Sequence, residues 1–167
     1  NFKIIKTKPN PPVLLWNHRW EYDKNPNLFF KLLKIIKEKG YKFKLIVLGE
    51  EFDTEMDIFT SSRKYFSKEI IHFGYCERFD EYAKFLWMAD IIPITSIQDF
   101  FGISLMQAVY CNNYPILPNK LTYPELYDVE SNPNIFYNTE EELIYKTINA
   151  IENHNKLNCK VFKKIAS

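Results

Sequence analysis

The chain has 167 residues, with 22 Lys and Arg against 21 Asp and Glu, so its net charge is +1 and it offers no broad field to nucleic acid or an anionic membrane. Hydrophobic residues make up 46%, enough for one sizeable core at this length. The three cysteines, Cys76, Cys111 and Cys159, form no CxxC pair. That argues against a disulfide scaffold or a zinc site and for a reduced, cytoplasmic setting. No apolar run approaches the roughly 18 residues of a membrane span.

Residues 1–12 carry Lys3, Lys6 and Lys8 with Pro9, Pro11 and Pro12, and read as a linker from a preceding N-terminal domain. The domain proper is expected over 13–167. Val13–Trp16 is a short apolar run. Pro26–Glu38 has helical spacing at Leu28, Phe29, Leu32, Ile35 and Ile36. Phe43–Leu48 reads as a buried strand ending in Gly49. A weak helix is expected over Glu55–Phe66, then a strand over Ile70–Phe73 and an amphipathic helix over Phe79–Met88. Asp90–Thr95 reads as a strand, Ile103–Cys111 as a helix and Pro115–Leu117 as a strand. Thr122–Tyr127 reads as a short helix with Thr122 and Glu125 as a capping box. A last strand is expected over Asn134–Tyr137, and a last helix over Thr139–Asn153 with Thr139 as its cap. This alternation predicts an α/β fold, a Rossmann-like parallel sheet with helices on both faces. Ligands in such sheets sit at the carboxyl ends of the strands. The loops Asn17–Asn25, Gly49–Asp53, Gly74–Asp80 and Ser96–Gly102 all fall there.

The segment Ser96–Cys111 is the most informative about function. Asp99 precedes a helix start at Gly102–Ile103, and Gln107 lies one turn inside it. The first N–H groups of a helix have no partners and sit at the positive end of its dipole, which favours phosphate. The four glycines, Gly40, Gly49, Gly74 and Gly102, are too far apart for GxGxxG or a Walker A loop. Side chains and a helix start must therefore hold any phosphate. Arg19 and Lys24, on the loop after the first strand, suit that task, since Arg grips phosphate with paired N–H bonds and Lys adds a mobile charge. Taken alone, the pair reads more readily as solvated loop charges, and His18 reads as structural. One of Phe100 and Phe101 is expected in the core. Lys31, Lys34, Lys37, Lys39, Lys42 and Lys44 read as a solvated face rather than an RNA contact.

These residues carry a resemblance. Arg19 and Lys24, five apart, are similar to the phosphate-binding Arg and Lys of the family 4 retaining glycosyltransferases. Asp99-Phe-Phe-Gly-Ile-Ser-Leu-Met-Gln107 resembles that family's Glu-x7-Glu motif. Trp16–Pro26, Asp99–Gly102 and Pro115–Leu126 more closely resemble the tRNA-queuosine alpha-mannosyltransferases. The resemblance implies the C-terminal, nucleotide-sugar-binding half of a two-domain GT-B enzyme. The donor is then GDP-mannose and the acceptor queuosine in tRNA, with no cofactor and no catalytic metal. It also implies roles. Arg19, Lys24 and Asp99 form the catalytic set, and Arg19 and Lys24 hold the diphosphate with the N–H groups of Gly102, Ile103 and Ser104. Asp99, Phe101 and Gly102 meet the sugar, and Gln107 faces the ribose. Tyr75, Cys76 and Arg78 lie along the base.

The motif also departs from that pattern. Asp99 is one methylene shorter than Glu, and Gln107 is neutral. Asn112-Asn113 stands where the family has glycine, and Asn tolerates the left-handed helix end required there. A non-catalytic nucleotide-sugar-binding or interaction module of the same fold is therefore the alternative. A receiver-like domain is disfavoured because Glu21 and Asp23 alternate with Arg19 and Lys24 rather than forming an acidic pocket. The chain by itself is expected to be inactive, because the acceptor and water exclusion need the other half of the cleft.

Overall fold

The computed structural model describes residues 11–50, 57–160 and 162. The expected linker lies outside them except for Pro11 and Pro12, as do residues 51–53 of one predicted loop and residues 55 and 56 of one predicted helix. The apolar runs become strands β1 (Val13–Trp16), β2 (Lys44–Leu48), β3 (Ile70–Gly74), β4 (Ile91–Pro93), β5 (Tyr114–Pro118) and β6 (Phe136–Tyr137). They form one six-stranded sheet in the order β3-β2-β1-β4-β5-β6. Every pairing is parallel, with Leu14 opposite Leu45 on one side and Ile91 on the other. This is the doubly wound order, with its switch point between β1 and β4.

Alternate strand residues feed two cores, as a parallel sheet covered on both sides requires. Leu14, Trp16, Leu45 and Val47 pack under helices α1 (Pro26–Glu38), α2 (Asp57–Tyr65) and α6 (Glu140–Glu152). Val13, Leu15, Ile46 and Leu48 pack under α3 (Phe79–Met88), α4 (Ile103–Tyr110) and α5 (Tyr123–Leu126). Asn25 caps α1 by accepting from the Leu28 N–H at 3.3 Å, with Pro26 in the first turn. Thr139 caps α6 by accepting from the Glu142 N–H at 3.1 Å. Asn112 takes φ 68° and closes α4 in the left-handed conformation. The buried Asn113 amide then donates to the Leu86 and Ala108 carbonyls.

Four expectations need correction. The predicted Thr122–Glu125 capping box does not form. Thr122 is already helical (φ −88°, ψ −9°), so its buried Oγ1 meets no donor or acceptor. The strand predicted over Asn134–Tyr137 opens as a 3-10 turn, Pro133–Ile135, and only two residues pair. The strand predicted over Asp90–Thr95 is regular only over Ile91–Pro93, because Pro93 brings no N–H to the ladder. Neither Phe100 nor Phe101 enters the core. Both are over 70% exposed, because the loop turns outward before α4 begins.

The lysines of α1 behave as a solvated face. Lys31 pairs with Glu140 at 2.8 Å, Lys34 with Glu38 at 4.0 Å and Lys37 with Glu69 at 3.0 Å.

Candidate nucleotide-sugar site

The loops after β1 and β4 meet at the switch point, where a doubly wound sheet opens a crevice. The first loop is fixed before any ligand arrives. The Trp16 indole N–H donates to the His18 carbonyl at 2.9 Å, and the Trp20 indole N–H donates to the Leu48 carbonyl at 3.1 Å. Trp20 also stacks on Phe59, with ring centres 4.3 Å apart. Gly49 passes so close that a Cβ there would lie 2.3 Å from the His18 oxygen, and its φ is +96°. Trp20 and Gly49 thus couple the end of β1 to the end of β2, a pairing that periodicity alone does not reveal.

The two loops are then tied together. The Ile97 N–H donates to the Asp23 carbonyl at 2.7 Å, and the Thr95 hydroxyl reaches the carbonyls of Lys24 and Asn25 at 3.1 and 3.0 Å. Lys24, only 17% exposed, donates to the Gln98 carbonyl at 3.2 Å. Its ammonium lies 3.5 Å from Asp23 and 3.9 Å from Asp99. Asp99 Oδ1 accepts from the Gly102 N–H at 3.2 Å, and its Oδ2 accepts from the Tyr123 hydroxyl at 2.7 Å. Lys24, Asp99 and the start of α4 therefore occupy one place. Gly102 takes φ +60° there, and the next amides, Ile103 and Ser104, are first-turn groups without helical acceptors.

Arg19, on the loop after β1, is 68% exposed, with its guanidinium 3.8 Å from Glu21. Gln107 Oε1 accepts from the Tyr82 hydroxyl at 2.9 Å. Asn17 donates to that hydroxyl at 3.4 Å and to the Ser104 carbonyl at 2.8 Å. Asn17, Tyr82, Ser104 and Gln107 thus form one polar chain from β1 to α4. Tyr75 is exposed beyond β3, and the Cys76 thiol is buried 3.5 Å from His72 Nε2. Burial pushes that thiol up from its usual pKa, so it stays protonated at neutral pH. Arg78 pairs with Asp80 at 2.6 Å on the surface.

Sequence reading overlooked Asn17, Tyr82 and Tyr123, and set His18 aside. His18 is 3% exposed, and burial, with a contribution from Lys24, lowers its pKa to about 4, so the ring is neutral at pH 7. Six buried side-chain polar atoms lack partners among the described residues. Four of them, on Asn17, His18, Ser96 and Thr122, lie past the carboxyl ends of β1, β4 and β5. Unpartnered buried polar atoms are uncommon, and those on Asn17 and His18 lie together just past the carboxyl end of β1. No group of three or more His, Cys, Asp or Glu that could hold a metal ion occurs among the described residues.

The six-stranded parallel sheet with helices on both faces is the fold of GT-B glycosyltransferase C-terminal domains. The chain belongs to the glycosyl transferases group 1 family, which matches residues 1–166. It is 38% identical over 136 residues to the tRNA-queuosine alpha-mannosyltransferase of Drosophila melanogaster, a match covering 81% of this chain. The matched region is 35% of that relative's length, so the chain spans about a third of it. In fold it matches the C-terminal domain of the glycosyl transferase group 1 family protein LpcC from Francisella tularensis. That match has a TM-score of 0.66 and 16% identity, and covers 93% of this chain and 80% of that one. It also matches Anabaena HepE, solved in complex with UDP, with a TM-score of 0.67 and 16% identity, covering 92% of this chain and 42% of that one. No helix among the described residues is long and apolar enough to cross a membrane.

Proposed function

We propose that this chain is the C-terminal, donor-binding domain of a retaining family 4 glycosyltransferase that moves mannose from GDP-mannose to queuosine in tRNA. The observation that carries the reading is the meeting of Lys24, Asp99 and the N-terminus of α4 at the switch point. The mannosyl donor and the tRNA acceptor come from the relative's name. A nucleoside diphosphate product fits the UDP bound by HepE.

In this reading Lys24, Arg19 and the amides of Ile103 and Ser104 take the diphosphate. Their positive charge and free N–H groups stabilise the negative charge that grows on the leaving phosphate as the sugar–phosphate bond breaks. Asp99, held by Gly102 and Tyr123, presents its carboxylate to the sugar hydroxyls beside Phe101. Gln107 serves the ribose, and the Tyr75–Arg78 loop lies along the base. The domain needs its partner half, in a cytoplasmic enzyme, for the acceptor and for water exclusion.

The test has two stages. Calorimetry of the chain with GDP, UDP and ADP should show binding, tightest for GDP. The full-length enzyme should then transfer mannose from GDP-mannose to queuosine-containing tRNA. Silence towards all three nucleotides would reject the donor site. A second reading, a binding module without catalysis, is favoured by the engagement of Asp99 with Tyr123 and of Gln107 with Tyr82. Nucleotide binding without transfer by the full-length protein would select it.

A further inference from the structure

His18 is the residue in this crevice whose chemistry remains unused. Its backbone is pinned by the Trp16 indole and by the close passage of Gly49. Its ring stands edge-on to the buried Trp16 ring, centres 5.1 Å apart at 88°. The ring is thus held in place, and Nε2 is buried with no hydrogen-bond partner. Such an atom is expected to have a partner, in the protein or in what the protein binds. The charges of Lys24, Asp99 and Asp23 all reach this ring, and that of Lys24 is felt most strongly. The side of a crevice nearest the cation is where the oxygens of an anion gather.

On the donor-site reading above, we infer that the His18 Nε2–H donates a hydrogen bond to a non-bridging oxygen of the donor's diphosphate, next to Lys24. His18 is then a binding residue, acting as a neutral donor beside a charged one. The ring keeps its proton throughout, so no proton transfer is involved. A neutral donor suits this position, because burial disfavours the charged imidazolium. A fixed donor adds direction to the mobile Lys24 charge and leaves fewer orientations open to the phosphate.

The test follows the ring nitrogens of His18 by NMR on 15N-histidine-labelled protein. The chain has three histidines, so its signal is assigned by loss in a His18→Gln variant. Saturating GDP should leave His18 Nε2 protonated and move its proton downfield, while guanosine should leave it unchanged. His18→Phe should weaken GDP binding by about three- to tenfold, the range for one neutral hydrogen bond, and His18→Gln, which keeps an N–H donor, should recover most of that loss. Should His18→Phe fail to fold, the NMR shift and the His18→Gln affinity decide. A His18 signal unmoved by GDP that saturates the protein overturns this inference and leaves the donor site standing. No saturation by GDP, UDP or ADP overturns both.

Discussion

The Tyr123 hydroxyl, from the helix after β5, donates at 2.7 Å to Oδ2 of Asp99, on the loop after β4. It joins two segments 24 residues apart and aims the only carboxylate of the motif. Burial, reinforced by Asp99, raises the Tyr123 pKa, so the phenol keeps its proton and remains a donor. A hydrogen bond to a charged group contributes about 1.5–3 kcal/mol. Tyr123→Phe should therefore lower unfolding free energy by about that amount, read in urea titrations, and weaken nucleotide-sugar binding more than nucleotide binding.

Lys24 should dominate phosphate affinity. Lys24→Met should raise the Kd for GDP by about 10- to 100-fold, corresponding to loss of a charged hydrogen bond. Wild-type affinity should fall as salt rises, because the charges partly face solvent, and this dependence should be shallower in the variant. Calorimetry at two salt concentrations checks both.

The glycine at 49 should be irreplaceable. A Cβ would meet the His18 backbone oxygen at 2.3 Å, at a φ of +96° that side chains rarely adopt. Gly49→Ala should cost more than ~3 kcal/mol, in the range of severe backbone disruption. Gly40 has a similar φ of +88° but nothing within 4 Å. Gly40→Ala should cost only about 1 kcal/mol, the conformational penalty alone. Paired denaturation curves separate close approach from φ.

His18 should make stability depend on pH. Its pKa is 6.5 unfolded and about 4 folded, so between these values the unfolded chain binds more protons. The stability contributed by keeping the ring neutral is fully present above about pH 6.5 and is lost as pH falls towards 4. Across that window the loss should be about 3 kcal/mol. The stability should fall more steeply from pH 7 to pH 4.5 in the wild type than in His18→Gln, which lacks this one titrating group, as unfolding curves will show.

Much of the fold was legible because its signals are local. The apolar run at Val13–Trp16 suits a strand buried on both faces, and the spacing in Pro26–Glu38 suits a helix with one covered side. Helix α3 falls on its predicted bounds, and Asn112 and Thr139 perform the backbone roles their chemistry suits. The errors lie where tertiary contacts compete with local rules. Thr122 has capping chemistry, but the chain arrives already helical. Phe100 and Phe101 are apolar, but the loop carrying them leaves both side chains exposed.

For the site, the linear order of residues determined the cast: a cationic loop after the first strand, an acidic loop before a helix, and a glycine that starts it. Only the folded sheet decided the partnerships. Parallel pairing of β1 with β4 brings Lys24 to Asp99 across 75 residues of chain. Tyr123 reaches Asp99, and Tyr82 reaches Gln107, because separate crossovers return their helices to the same sheet edge. A hydrogen bond acts over about 3 Å in space whatever the separation along the chain. Residue types can therefore announce a chemistry, while strand order selects the neighbours that orient it.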